Sequence, residues 1–395
     1  MSFAMKKKIL FVHNALWIGG IETALVAMLN RMDYSKYDVT CLITSDNCQL
    51  SAQITRKCKL IVCDRHNTVS FSQKYKYAKL FDIVNSDVSS SKIKALRNEI
   101  FTFFFRNLEE RLYSSYIKNN IKEIDFDTAI IFSCKVSGIV RRIIKAKKYL
   151  CFYHYSDMRR VYHDYLGYDI CEKIFAVTDN LAYSLKEFIP KYKEKIYSLH
   201  NLVNTNNVAE MALSGNADEL SKDNFNIVSC GRLHRDKGFD LAVKACKRLV
   251  DDGYTDLHWY VVGEGPESNN LRDLIEEYNV SEHFHLLGVK SNPYPYMKAA
   301  DIFVQSSRIE AFGLTITEAL SLGVPVVSTA TDGGKEIITD NVNGLLCDVS
   351  ADSIYGAVKT LIENPELRKK LADGASEIDF EAQNDEIMKR LYAEL

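Results

Sequence analysis

Two loops in the C-terminal half of this 395-residue chain carry residue types suited to an anion and to hydroxyl groups. In Gly231-Arg232-Leu233-His234-Arg235-Asp236-Lys237-Gly238, Arg232 offers a planar fork to phosphate oxygens and Lys237 a point charge. Two cations on one glycine-flanked loop suit a diphosphate; the plainer alternative is an exposed basic turn. The second loop, Ser306 to Gly313, follows an apolar run and turns into a helix reaching about Leu322. The open N–H groups of a helix start favour an anion, and Gly313 lets a ligand approach the backbone. Glu310 precedes that helix and Glu318 lies about one turn inside it. Carboxylates on either flank of an anion site accept hydrogen bonds from the hydroxyls of a polyol phosphate. Taken alone, Glu318 also reads as a solvated helix residue.

Other features are weaker. Trp17-Ile18-Gly19-Gly20-Ile21-Glu22 is a glycine turn into a helix, a further phosphate neighbour, but it lacks the GxGxxG spacing of a dinucleotide site. No GxxxxGK[ST] sequence occurs, which removes P-loop nucleotide hydrolysis. His154 follows the apolar run Tyr149 to Tyr153, where it either faces a ligand cleft or serves the core. Asp125-Phe126-Asp127 has a metal-binding DxD spacing but reads better as a turn leading into the strand Ala129 to Phe132, so no metal is assigned.

The elements that must position these residues follow from hydropathy. Nearly continuous apolar runs (Lys8 to Val12, Val39 to Thr44, Leu60 to Cys63, Ala129 to Phe132, Tyr149 to Tyr153, Ile174 to Thr178) alternate with helical stretches. The rhythm restarts with Asn226 to Cys230, Leu257 to Val262, Phe284 to Leu287, Ile302 to Gln305 and Val324 to Ser328. Such patterns predict parallel sheets covered on both faces, hence an α/β chain of two doubly wound Rossmann-like domains facing a central cleft. The expected divisions are an N-terminal domain over 1–200 with a helical insertion at 67–120, a polar linker over 201–224, a C-terminal domain over 225–375, and a helix over 376–395 packing back onto the first domain. Ligands in open sheets sit beyond the carboxyl ends of strands, where all three loops fall.

Composition agrees. Apolar residues at 47% and charged residues at 26% exclude a disordered or fibrous chain. No run approaches the roughly 18–20 apolar residues that cross a bilayer. The lysines at Lys6 to Lys8 precede an apolar stretch too short for a signal peptide, and ten cysteines without CxxC pairs argue against disulfides and zinc. A reducing, cytoplasmic location is expected. Residues 1–200 carry a net +12 and residues 201–395 a net −14. The basic half, with Arg141, Arg142, Lys145, Lys147 and Lys148, suits an anionic surface such as the inner face of a membrane, with the aromatics Phe101 to Phe105 inserting shallowly; solvated lysines and core aromatics are the alternative. Nothing points to nucleic acid.

These residues resemble the retaining GT-B nucleotide-sugar glycosyltransferases of the large family-four group (glycosyl transferases group 1). The likeness rests on Glu310-x7-Glu318 around Ala311-Phe312-Gly313-Leu314, on Gly231-Arg232-Leu233 with Lys237-Gly238, on Gly19-Gly20-Ile21-Glu22, and on Gly323-Val324-Pro325 with Gly333-Gly334 and Glu336-Ile337-Ile338. It implies that Arg232 and Lys237 grip the diphosphate of a nucleotide-sugar donor, and that Glu318 holds the ribose. Glu310, with the backbone of Phe312, Gly313 and Leu314, would hold the sugar and distal phosphate. His154 would approach the transferred sugar, and Gly19 and Gly20 its phosphate. The implied reaction is metal-independent and cofactor-free, with a donor that is a UDP-sugar on family precedent and a glycan or lipid-linked acceptor. Ala311 and Gln305 depart from the family pattern, which usually has glycine at the first position and an apolar residue or proline at the second. Rival readings are a sugar-nucleotide epimerase and a non-catalytic nucleotide-sugar-binding subunit.

Overall fold

The computed structural model describes residues 5–45, 47–63, 125–132, 136–158, 161 and 165–395. The expected insertion at 67–120, including Phe101 to Phe105, lies outside the described residues. The first sheet holds β1 (Lys7–His13), β2 (Tyr37–Ile43), β3 (Lys59–Val62), β4 (Asp125–Ile131), β5 (Lys145–Tyr153), β6 (Lys173–Ala176) and β7 (Ile196–Ser198) in the order β3-β2-β1-β4-β5-β6-β7. The second holds β8 (Phe225–Cys230), β9 (Leu257–Val262), β10 (Phe284–Leu286), β11 (Ile302–Gln305), β12 (Val326–Thr329) and β13 (Leu345–Cys347) in the order β10-β9-β8-β11-β12-β13. Every pairing between these strands is parallel. Helices cover both faces, so central strands are buried throughout: Ile9, Leu10, Phe11 and Val12 of β1 and Ile302, Phe303 and Val304 of β11 are at most 1% exposed. The chain is therefore α/β with two doubly wound sheets. Strand order reverses between β1 and β4 and again between β8 and β11, which puts a crevice beyond the carboxyl ends of each pair.

Four segments differ from the sequence reading. β7 and β13 are edge strands of three residues that the sequence reading did not mark. The span expected as a polar linker contains the helix Thr205–Leu213, started by the Asn204 side chain accepting from the Asn207 N–H. Its Val208 and Ala212, one turn apart, bury against the second sheet's core. Asp125 and Asp127 do not form a turn before a strand; they lie within β4, on either side of the buried Phe126. Asp127 accepts from the Lys8 N–H at 2.8 Å and pairs with Lys147 at 2.6 Å. This end of β4 is opposite the end that leads to the crevice.

The last helix, Phe380–Tyr392, crosses back to the first domain. Ile387, Met388 and Leu391 enter its core, and Tyr392 stacks on Tyr37 with ring centres 5.4 Å apart. Glu394 then pairs with Lys148 and Lys173 at 3.0 and 2.6 Å. Lys147 and Lys148, expected as candidates for an anionic surface, thus have acidic partners of their own. Replacing the fully buried Leu391 with Ala should cost about 2–5 kcal/mol by leaving a cavity in the first domain. Glu394→Gln, at partly exposed pairs, should cost under about 1 kcal/mol. Denaturant titration of both variants checks the contrast.

Candidate functional site

Because β8 and β11 are adjacent and parallel, the loops leaving them emerge side by side. The loop after β8 passes through a short 3-10 turn, Arg235–Lys237, and reaches the helix Phe239–Asp251 through Gly238 at φ +64°. A methyl group at Gly238 would lie 2.1 Å from the Ser306 carbonyl oxygen, so glycine is what allows the two loops to touch. Polar contacts then join them. The Asp236 carbonyl accepts from the N–H groups of Arg308 and Ile309 at 2.7 and 3.2 Å. The Arg308 guanidinium holds both oxygens of Asp240 at 2.6 Å. Burial would raise the Asp240 carboxyl, but that bidentate partner keeps it below the usual carboxylate range.

This frame brings the Lys237 ammonium onto Oε2 of Glu310. The same oxygen accepts from Gln305 Nε2 at 3.2 Å and lies 3.4 Å from Ser307 Oγ. Beyond Glu310 the chain enters the helix Leu314–Ser321 through Gly313 at φ +90°. Arg232 is exposed, and its guanidinium has no hydrogen bond or ion pair with the described residues.

Glu318 occupies a different environment. It is buried on the helix, not solvated, and accepts a hydrogen bond from the Tyr294 hydroxyl at 3.0 Å. Burial pushes its carboxyl up to about 7, opposed only by the Tyr294 bond. Two carboxylates eight residues apart are thus held differently, one against a cation and one in an apolar setting with a neutral donor.

The first domain contributes from the ends of β1 and β5. A methyl group at Gly20 would sit 3.5 Å from Leu314 Cδ1, so the Gly19-Gly20 turn faces the start of the Leu314–Ser321 helix. Phe312 and Leu314 bury in the first domain's core from across the cleft. His154, directly after β5, is 6% exposed and packs on Phe132 with ring centres 4.7 Å apart. Burial and the neighbouring His13 push it down to about 3, so the imidazole is neutral. Neither ring nitrogen has a hydrogen-bond partner among the described residues.

Sequence reasoning missed several participants. His13, the last residue of β1, contacts the Glu22 carboxylate at 3.3 Å; the strand-end rule that singled out His154 applies to it equally. Tyr294 gave no signal, since only folding brings it to Glu318. Among the described residues one group has the make-up of a metal-ligand set: Asp179, His200 and Glu336, with ligand atoms within 4.8 Å of one another. Glu336 Oε1 already lies 2.8 Å from His200 Nε2 and accepts from the Asp179 N–H at 3.1 Å, which joins the two domains.

Comparison with known proteins agrees with this architecture. Residues 216–377 match the family model described as glycosyl transferases group 1. The chain is 35% identical over 178 residues to the N-acetylgalactosamine-N,N'-diacetylbacillosaminyl-diphospho-undecaprenol 4-alpha-N-acetylgalactosaminyltransferase of Campylobacter jejuni, covering 45% of this chain and 47% of that protein. It is 32% identical over 152 residues to the lipopolysaccharide core biosynthesis glycosyltransferase LpsE of Rhizobium meliloti, covering 38% and 43%. The chain thus spans under half the length of these two curated relatives. Among solved structures, Anabaena HepE in complex with UDP and glucose superposes with a TM-score of 0.69 at 16% identity over 98% of this chain and 99% of that one. WaaG, a glycosyltransferase involved in lipopolysaccharide biosynthesis, gives 0.67 at 15% identity over 96% and 98%. The fold is the GT-B architecture, and residues 216–377 are of the glycosyl transferases group 1 type.

The burial of Glu318 has a consequence for pH. Its folded value of about 7 lies above the ordinary 4.5, so the folded state binds the extra proton between these limits. Stability should fall as pH rises through that window, and the full penalty remains above it. Glu318→Gln should therefore exceed the parent in stability at pH 8, by about 3 kcal/mol at most, with the gap closing near pH 4.5. Urea titrations at both pH values test this; a difference independent of pH would mean that Glu318 ionises normally.

Proposed function

We propose that this chain, whose C-terminal domain is of the glycosyl transferases group 1 type, is a retaining glycosyltransferase that moves a sugar from a UDP-sugar to a glycan or lipid-linked acceptor. The observation that carries this reading is the meeting of Lys237 and Glu310 beside the Gly313 helix start, with Arg232 unengaged on the same loop. An ammonium held by a carboxylate is a cation ready to exchange partners when a more highly charged diphosphate arrives. UDP accompanies HepE in its solved structure, and the Campylobacter relative is named for a diphospho-undecaprenol substrate; both are consistent with the donor and acceptor classes proposed here.

In this reading Arg232, Lys237 and the N–H groups at the Leu314–Ser321 helix start bind the donor diphosphate, and Glu318 accepts from the ribose hydroxyls. Glu310 and the backbone of Phe312, Gly313 and Leu314 hold the sugar. The glycosyl C1–O bond breaks with its electron pair passing to the β-phosphate oxygen. The two cations and the helix start stabilise that charge, so no metal is required. The acceptor hydroxyl attacks from the leaving-group face, forms the new C1–O bond, and gives its proton to a phosphate oxygen. The neutral His154 imidazole and the Gly19-Gly20 turn close the sugar side from the first domain.

The acceptor belongs with that first domain, whose excess positive charge favours an anionic surface at the cytoplasmic face of a membrane. No described helix is long and apolar enough to cross a membrane. Salt-sensitive flotation with anionic vesicles is the expected behaviour.

Arg232→Ala and Lys237→Ala should each lower kcat by about 10²–10³-fold, with melting temperature nearly unchanged for the exposed Arg232. Turnover should persist in EDTA. Mass spectrometry of products from a UDP-sugar panel with lipid-linked and soluble acceptors is the direct measurement. Near-normal transfer by the double variant would overturn the assignment, as would an isomerised donor without a new glycosidic bond.

A further inference from the structure

Gln305 ends β11 and carries a polar side chain although it is 3% exposed. Both ends of its amide are engaged. Nε2 donates to Ser307 Oγ at 2.6 Å and to Glu310 Oε2 at 3.2 Å, while Oε1 accepts from the Thr315 hydroxyl at 3.1 Å. The orientation is forced by chemistry: an ionised carboxylate only accepts, so the NH₂ end must face Glu310. One buried side chain thus connects the carboxylate before the helix to the second residue inside it.

The distribution of contacts on Glu310 is uneven. Lys237, Gln305 and Ser307 all approach Oε2, and Oε1 has no hydrogen bond with the described residues. The anchored oxygen fixes the carboxylate, which leaves the other available to a sugar hydroxyl. On the donor reading given above, from which this inference follows, the diphosphate draws Lys237 away from Glu310. Gln305 is then the buried donor that keeps the carboxylate in place.

We propose that Gln305 is a positioning residue that keeps Glu310 in register with the Leu314–Ser321 helix start while Lys237 serves the phosphates, and so sets how strongly the site prefers a nucleotide sugar to the bare nucleotide. It acts through Glu310 and Thr315 and touches no reacting atom. Its effect belongs to the sugar half of the donor and not to the nucleotide half.

The test compares Gln305→Met, which keeps the volume and loses the hydrogen bonds, with Gln305→Glu, which keeps the shape but places a second carboxylate against Glu310. Calorimetric titration with UDP and with a panel of UDP-hexoses and UDP-N-acetylhexosamines gives the affinity ratio. For Gln305→Met, UDP affinity should stay within about twofold, while the advantage of the preferred UDP-sugar over UDP falls about tenfold or more. Gln305→Glu should lose more of that advantage. Thr315→Val, which removes only the far tether, should shift the ratio in the same direction by less, and it serves if the buried substitutions do not fold. A ratio unchanged in Gln305→Met, or in Thr315→Val where that variant stands in, would overturn the role of Gln305 alone. Equal losses for UDP and UDP-sugar would assign it a merely structural part. A parent protein that binds no UDP, or no sugar nucleotide better than UDP, would overturn the donor reading itself.

Discussion

A lysine and a glutamate from loops 73 residues apart meet here because two adjacent parallel strands end at the same edge of one sheet. Everything proposed for the C-terminal domain depends on that contact. It requires Gly238, since any side chain there would collide with the Ser306 carbonyl, and it requires the Arg308–Asp240 clamp to hold the loops together. A flexible pair of loops would lose the Lys237–Glu310 contact to water, because an exposed ion pair repays little of the entropy needed to order it. Backbone bonds from Arg308 and Ile309 to Asp236 have already fixed these loops, so the side chains meet at little further cost.

The same frame explains how two carboxylates in one short motif take different parts. Glu310 precedes the helix, where a cation and a buried amide reach it. Glu318 is one turn inside, on the face turned toward Tyr294, where only a neutral hydroxyl is available. Its raised value is therefore a result of position, and a ribose hydroxyl is the kind of uncharged donor such a group suits. His154 follows the same logic in the first domain: enclosed by Phe132 and Phe152, it stays neutral.

The strands and loops that carry this chemistry were legible because their signals are local. Ile302 to Gln305 and Leu257 to Val262 read as buried strands from composition alone, and both match the structure's limits. The helix Thr205–Leu213 was not legible, since a polar segment with two apolar residues a turn apart is recognisable only beside the surface that covers them. Asp125-Phe126-Asp127 misled for a related reason. Alternation of charged and apolar residues is also how a strand looks where one face meets solvent, and that is where β4 begins. Tyr294 and Asp240 became visible as partners only once folding had removed the sequence distance to Glu318 and Arg308. Gln305 departs from the pattern that the resemblance implies, but its bonds to Glu310 and Thr315 exist only in the folded chain.

Between the domains the chain crosses twice, and the crossings are bound to each other. Asn384 accepts from the Val203 N–H at 3.2 Å and donates to the Val203 carbonyl at 2.8 Å, and Glu381 takes Thr205 at 3.0 Å and Arg31 at 2.8 Å. Any rotation of one domain against the other has to be absorbed next to these points, because the terminal helix is fixed in the first core by Ile387, Met388 and Leu391. Two further contacts across the cleft differ in kind. Leu314 against Gly20 is apolar and undirected, whereas Glu336 joins His200 and the N–H of Asp179 with directional bonds. A donor bound at the Gly313 helix start would sit beside the first contact, with Phe312 already 5.9 Å from the His200 ring. The loop that presents Glu310 and one of the bonds that join the domains therefore meet at His200, and a displacement of that loop would be felt there.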